Sequence, residues 1–145
     1  MFVETILPAA RKRLATINDD APLIDAAKLL VDLHTDLVIV CRFDGLLAGV
    51  ITKTDIVRQI SQCQEPGCTA KIVMTQTVIL CHPGDLMRDV WSTMHKRGLK
   101  NIPIVGQDSR PLGVLNARDA LEALLKEAES EEALLREYVM GVGYN

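Results

Sequence analysis

The stretch Gly49-Val50-Ile51-Thr52-Lys53-Thr54-Asp55 decides how this chain is read, because it returns in altered form as Gly113-Val114-Leu115-Asn116-Ala117-Arg118-Asp119. In each copy an apolar run ends on a short polar side chain, and an aspartate follows three residues later. The two aspartates stand 64 residues apart, and the same period aligns what precedes them. Leu14–Asp55 and Val78–Asp119 present one order of events. An extended apolar piece leads to a polar turn holding Pro22 or Pro83. Apolar residues then fall on one helical face, Leu23, Ala26, Ala27 and Leu30 in the first copy and Leu86, Val90 and Met94 in the second. A short apolar strand follows, LVIV or IPIV, then a polar turn with Gly, a second strand, LLAGVI or PLGVL, and a closing helix from near Thr54 or Ala117.

Each half therefore reads strand–helix–strand–strand–helix, an α+β unit that leaves an apolar sheet face bare unless it packs on a neighbour. Two units in tandem solve that by packing on each other. The boundaries drawn from the pattern are residues 6–62 for repeat 1, 63–70 for a linker in the Gln-, Pro- and Gly-bearing stretch SQCQEPGCTA, 71–126 for repeat 2, and 127–145 for a C-terminal helix and tail. Ser130 is expected to cap a separate last helix.

Bulk properties bound the function. Hydrophobic residues make up 48% of the chain and aromatic ones 3%, so the core must be built from Leu, Ile, Val and Ala. The formal net charge of −3 gives no general attraction to polyanions, so no nucleic-acid partner is expected. The basic clusters Arg11–Arg13 and His95–Lys100 read as solvated faces or helix ends. Of the four cysteines, Cys41 and Cys81 sit in apolar runs and read as small buried hydrophobes, while Cys63 and Cys68 flank a turn. No cysteine or histidine has companions at metal-site spacing. The N-terminus runs from apolar to charged, the reverse of a secretory signal, and no apolar run is long enough for a bilayer. A cytoplasmic protein with no membrane contact is expected.

The repeated turn supports two readings. In one, Thr52-x-x-Asp55 and Asn116-x-x-Asp119 are helix caps, with a side-chain oxygen accepting from a free N–H and the carboxylate favouring the positive end of the dipole. In the other, the same unpaired amides and the Thr52 hydroxyl suit a phosphate, and the aspartate accepts from the two vicinal hydroxyls of a ribose. Adenine needs apolar walls and a few backbone bonds. The run NIPIV offers both, since Pro103 leaves a bond-free strand edge and Ile102 supplies a wall.

The tandem order, with LVIVCRFDGLLAGVITKTD and NIPIVGQDSRPLGVLNARD, resembles the two halves of a CBS-domain pair (cystathionine beta-synthase domain), from about Ile6 to Leu125. The ending EEALLREYVMGVGYN resembles those of small stand-alone bacterial proteins of this kind. The resemblance implies a Bateman module, a pseudo-twofold pair of β-α-β-β-α repeats with two clefts between them that take adenosine compounds such as AMP, ADP, ATP or S-adenosylmethionine. Carried over by position, one cleft holds Thr52 and Asp55, with Ile79, Asn101, Ile102 and Pro103 around the base. The other holds Asn116 and Asp119, with Thr16, Leu37 and Val38. Asn116 replaces the usual hydroxyl and Val38 stands where proline is common, so the Thr52/Asp55 cleft ranks first. The resemblance also implies a homodimer formed through outward helices, with Leu29, Leu30, Trp91 and Met94 as contacts unless they fill the internal core.

No P-loop, G-x-S-x-G or H-E-x-x-H motif is present, and no enzyme is expected. No cofactor is required; an adenine nucleotide is a regulatory ligand. The first reading is a sensor that passes a ligand signal to an unknown regulated protein. The alternative is a structural or interaction protein that keeps the fold and has lost the ligand.

Overall fold

We describe residues 1–62 and 67–143 of the computed structural model. A 3-10 turn (Val3–Ile6) and the short helix α1 (Leu7–Lys12) open the chain. The first half then runs β1 (Thr16–Asn18), α2 (Leu23–Leu30), β2 (Leu37–Cys41), β3 (Leu47–Thr52) and α3 (Lys53–Gln62). Strand β1 lies parallel to β2, which lies antiparallel to β3. The short helix α4 (Ala70–Val73) leads into the second half, α5 (Met87–Arg97), β4 (Asn101–Val105), β5 (Pro111–Asn116) and α6 (Ala117–Gly143), with β4 and β5 antiparallel.

The two halves share their register as well as their order. Leu37 faces Thr52 as Asn101 faces Asn116, and Val40 faces Gly49 as Ile104 faces Gly113. Both ladders shift one step later, at Val40/Cys41 and at Ile104/Val105.

Three expectations are corrected. The first strand of the second half shrinks to one parallel bridge, Cys81 to Ile104. In the first half the Ile39 N–H donates to the Ala15 carbonyl at 2.8 Å. Pro103 occupies the position matching Ile39 and has no N–H to offer Ile79, so that ladder loses a bond. Second, α6 runs without a break through Ser130. Good helix formers surround that serine, no Gly or Pro interrupts them, and an Arg136–Glu132 pair one turn apart adds support. Third, Ala70 of the expected linker already belongs to α4. Cys63, which flanks the expected turn with Cys68, lies outside the described residues.

Packing crosses between the halves. Val3, Ile6 and Ala10 from the N-terminus join Cys81, Met87, Met94, Ile104 and Leu115 in the second half's core. Ala70 of α4 joins Ala26, Leu30, Val38 and Ile51 in the first. Each leading helix thus lies over the other half's sheet. A Cβ at Gly113 would come within 2.9 Å of Ala10, and one at Gly49 within 2.7 Å of the Thr75 carbonyl oxygen, so the close crossings need glycine. A third cluster, Leu37, Ile39, Val50 and Val114 with Leu14 and Val78, binds the two sheets together. Leu30 and Met94, offered as dimer contacts, are instead buried within their own halves.

Candidate functional site

β3 delivers Thr52 to the start of α3, and Asp55 follows in that helix's first turn. The two form a reciprocal cap. The Thr52 N–H donates to Asp55 Oδ2 at 2.9 Å, the Thr52 hydroxyl donates to the same oxygen at 3.1 Å, and the Asp55 N–H points back at the hydroxyl at 3.4 Å. Among the described residues Asp55 Oδ1 meets only Arg58, at 3.4 Å, a side chain 58% exposed. Asp55 is the one charged residue counted in the core among the described residues.

This carboxylate borders a cleft of about 230 Å³. Thr52 and Asp55 line it from the first half, and Ile79, Asn101, Ile102 and Pro103 from the second. The six residues assigned to the first cleft from the sequence therefore meet around one cavity. Asn101 is held there by the Asn116 amide, which donates to its side-chain oxygen at 3.0 Å. The bare edge of Pro103 leaves the Ile79 carbonyl without a backbone partner among the described residues. Sequence reasoning gave Leu37 to the other cleft and missed Val50, Thr75, Thr77, Val78 and Leu99; these six complete the lining. The 64-residue period could have found Thr77 and Leu99, because their counterparts Arg13 and Thr35 line a cavity beside Asp119.

The second group of residues does not assemble. Asp119 borders a larger cavity, about 610 Å³, walled by α1, the turn after α2 and α6. Thr16, Leu37, Val38 and Asn116 are not in its lining. Leu37 turns to the first cleft, and Val38 is fully buried among Ala26, Leu30 and Ala70. Thr16 is exposed on the short strand β1. The register also makes Ile39, not Val38, the counterpart of Pro103. Asn116 caps α6, accepting from the N–H groups of Arg118 and Asp119 at 3.0 and 3.1 Å.

Asp119 itself is already engaged. Arg13 Nε donates to its Oδ2 at 2.7 Å and Arg13 Nη2 to its Oδ1 at 3.2 Å. That hydrogen-bonded carboxylate raises the Arg13 pKa above its ordinary value. Lys53 and Arg118, the basic residues of the two repeated motifs, lie against Asp36 and Glu122 on the surface. Among the described residues no group of His, Cys, Asp and Glu is disposed to hold a metal ion, and no helix is long and apolar enough to cross a membrane.

These features define a duplicated α+β module with an inter-repeat cleft that carries a capped, nearly buried carboxylate. Residues 3–62 and 70–126 each match the CBS domain, and the chain belongs to that family. Among curated relatives, the choline transport ATP-binding protein OpuBA of Bacillus subtilis is 25% identical over 92% of this chain and 34% of its own length. The chain spans 20% to 43% of the length of the first curated relatives it matches. Among solved structures, CBSX2 in complex with AMP superposes with a TM-score of 0.75 at 19% identity, over 88% of this chain and 98% of that one. The CBS domain pair of protein MJ0100, in complex with 5'-methylthioadenosine and S-adenosyl-L-methionine, does so with a TM-score of 0.72 at 23% identity, over the same shares of both chains.

Proposed function

We propose that this chain is a regulatory module that binds an adenosine-containing small molecule in the Thr52/Asp55 cleft. The observation that carries the reading is the pairing, across one cavity, of a shielded carboxylate with a strand edge stripped of its N–H. Asp55 Oδ1 takes the ribose hydroxyls, displacing the loosely held Arg58. The base lies among Leu37, Ile79 and Ile102, with its exocyclic amine donating to the Ile79 carbonyl. At about 230 Å³ the cleft is slightly below the ~300 Å³ at which ordinary ligand pockets begin. A nucleoside fills it, and phosphates extend towards the N-terminus of α3. The adenosine ligands in the two solved relatives, AMP in one and 5'-methylthioadenosine with S-adenosyl-L-methionine in the other, support this class of ligand.

The ligand is a signal and not a cofactor. It acts by binding one arrangement of the halves, or of two copies, better than another, and a regulated protein reads the difference. A second copy of the chain is the nearest partner, docking on the outer face of α2 and α3, where Ile24, Val57 and Ile60 are exposed. The alternative, a structural protein without ligand, draws support from the occupied carboxylate of Asp119.

Thermal melting with AMP, ATP and S-adenosylmethionine tests the reading. A true ligand at a hundredfold its Kd stabilises the fold by about 2.7 kcal/mol. Asp55→Asn keeps a capping oxygen, so its own stability stays within about 1 kcal/mol of the parent, yet it loses the ligand-induced shift. No shift with any of the three compounds establishes the structural alternative.

A further inference from the structure

The two aspartates occupy equivalent positions but meet opposite neighbours. Thr77, short and neutral, lines the Asp55 cleft at the position where the other half has Arg13. Arg13 ends α1 and turns its guanidinium onto both oxygens of Asp119, at 2.7 and 3.2 Å. Its remaining nitrogen reaches the His34 carbonyl at 3.5 Å, which ties the fork to the turn after α2. Both partners are only about a quarter exposed, so solvent competes weakly for the pair. Two parallel N–H donors aimed at two carboxylate oxygens reproduce the pattern that a vicinal diol presents.

We propose that Arg13 is a specificity-determining residue that stands in for a ribose on Asp119 and restricts the pair to one nucleoside per chain. The proposal rests on the reading of Asp55 as a ribose-binding carboxylate and extends it from the site to the stoichiometry. It also gives the N-terminal basic cluster a role its local sequence does not suggest.

Isothermal titration of the full chain with AMP, ATP and S-adenosylmethionine tests it. The parent should bind about one equivalent per chain, and Arg13→Thr, which installs the residue of the other half, about two. Adding Asp119→Asn to Arg13→Thr should return the value to about one, while Arg13→Thr with Asp55→Asn should keep only the newly opened event. Two equivalents in the parent, or one in folded Arg13→Thr, overturns the proposal. Arg13→Gln keeps the stem and its packing, and one equivalent in that variant overturns the proposal equally should Arg13→Thr fail to fold. Binding by Arg13→Thr but not by the parent upholds Arg13 and overturns the first-cleft reading. Binding by neither overturns both.

Discussion

Asp55 uses one oxygen to cap its helix and leaves the other to a loosely held arginine, whereas Asp119 spends both on Arg13. The motif spacing makes the cap legible in sequence, since its partners are three residues apart. Arg13 and Asp119 are separated by 106 positions, and nothing local to Arg11–Arg13 distinguishes a clamp from a solvated helix end. The apolar surroundings of Cys41 and Cys81 in sequence agree with their burial. For Cys81, burial first and the nearby Asp85 charge second push the thiol pKa up to about 12 from 9.0. A folded-state pKa above the unfolded one means the contribution is intact below about pH 9 and is lost as pH rises towards 12. Three units correspond to at most ~4 kcal/mol. Between pH 8 and 10.5, guanidinium unfolding of the parent should therefore lose about 2 kcal/mol more stability than Cys81→Ala. Equal slopes would show that the thiol does not contribute in this range.

At the scale of elements, the hydrophobic pattern locates α2, α5 and the four strands of the two hairpins, because the helices bury one apolar face while β2 and β4 are buried almost throughout as continuous apolar runs. The strand that failed is the one facing Pro103. A proline costs its own strand little here but removes the N–H that the neighbouring segment needs. Pro103→Ala should restore a donor to Ile79, as Ile39 has to Ala15. The expected result is slower amide exchange over residues 78–81, an unchanged or higher melting temperature, and adenosine binding weakened about tenfold by loss of roughly one hydrogen bond. Unchanged affinity would show that the Ile79 carbonyl plays no part in holding the base. The misplaced end at Ser130 has a different cause. A serine amid Glu, Ala and Leu has cap chemistry but no geometric need to stop, so α6 continues to Gly143.

For the whole molecule, the leading helices α1 and α4 each cover the opposite half, so neither repeat keeps its core alone. Apolar side chains stay bare along the C-terminal part of α6, at Leu134, Leu135 and Tyr138, and on the outer face of α2 and α3. Val57 and Ile60 are 65% and 73% exposed there, and Ile24 is 60% exposed beside them. Isolated apolar residues of this kind are ordinary on a surface, but a contiguous set marks an interface. Sedimentation of the parent should give a dimer, and Val57→Glu with Ile60→Glu a folded monomer. A parent that sediments as a monomer at micromolar concentration removes this face from consideration.

The sequence by itself determined the duplication, the order of the helices and hairpin strands, the caps at Thr52 and Asn116, and six of the residues that border the first cleft. Those depend on spacing, and a 64-residue period matches each position in one half to a position in the other. Only the tertiary structure decided how the two clefts differ. The difference is made by Arg13 from the chain's start and by one missing N–H on Pro103, contacts between segments far apart in the chain whose partners periodicity cannot name.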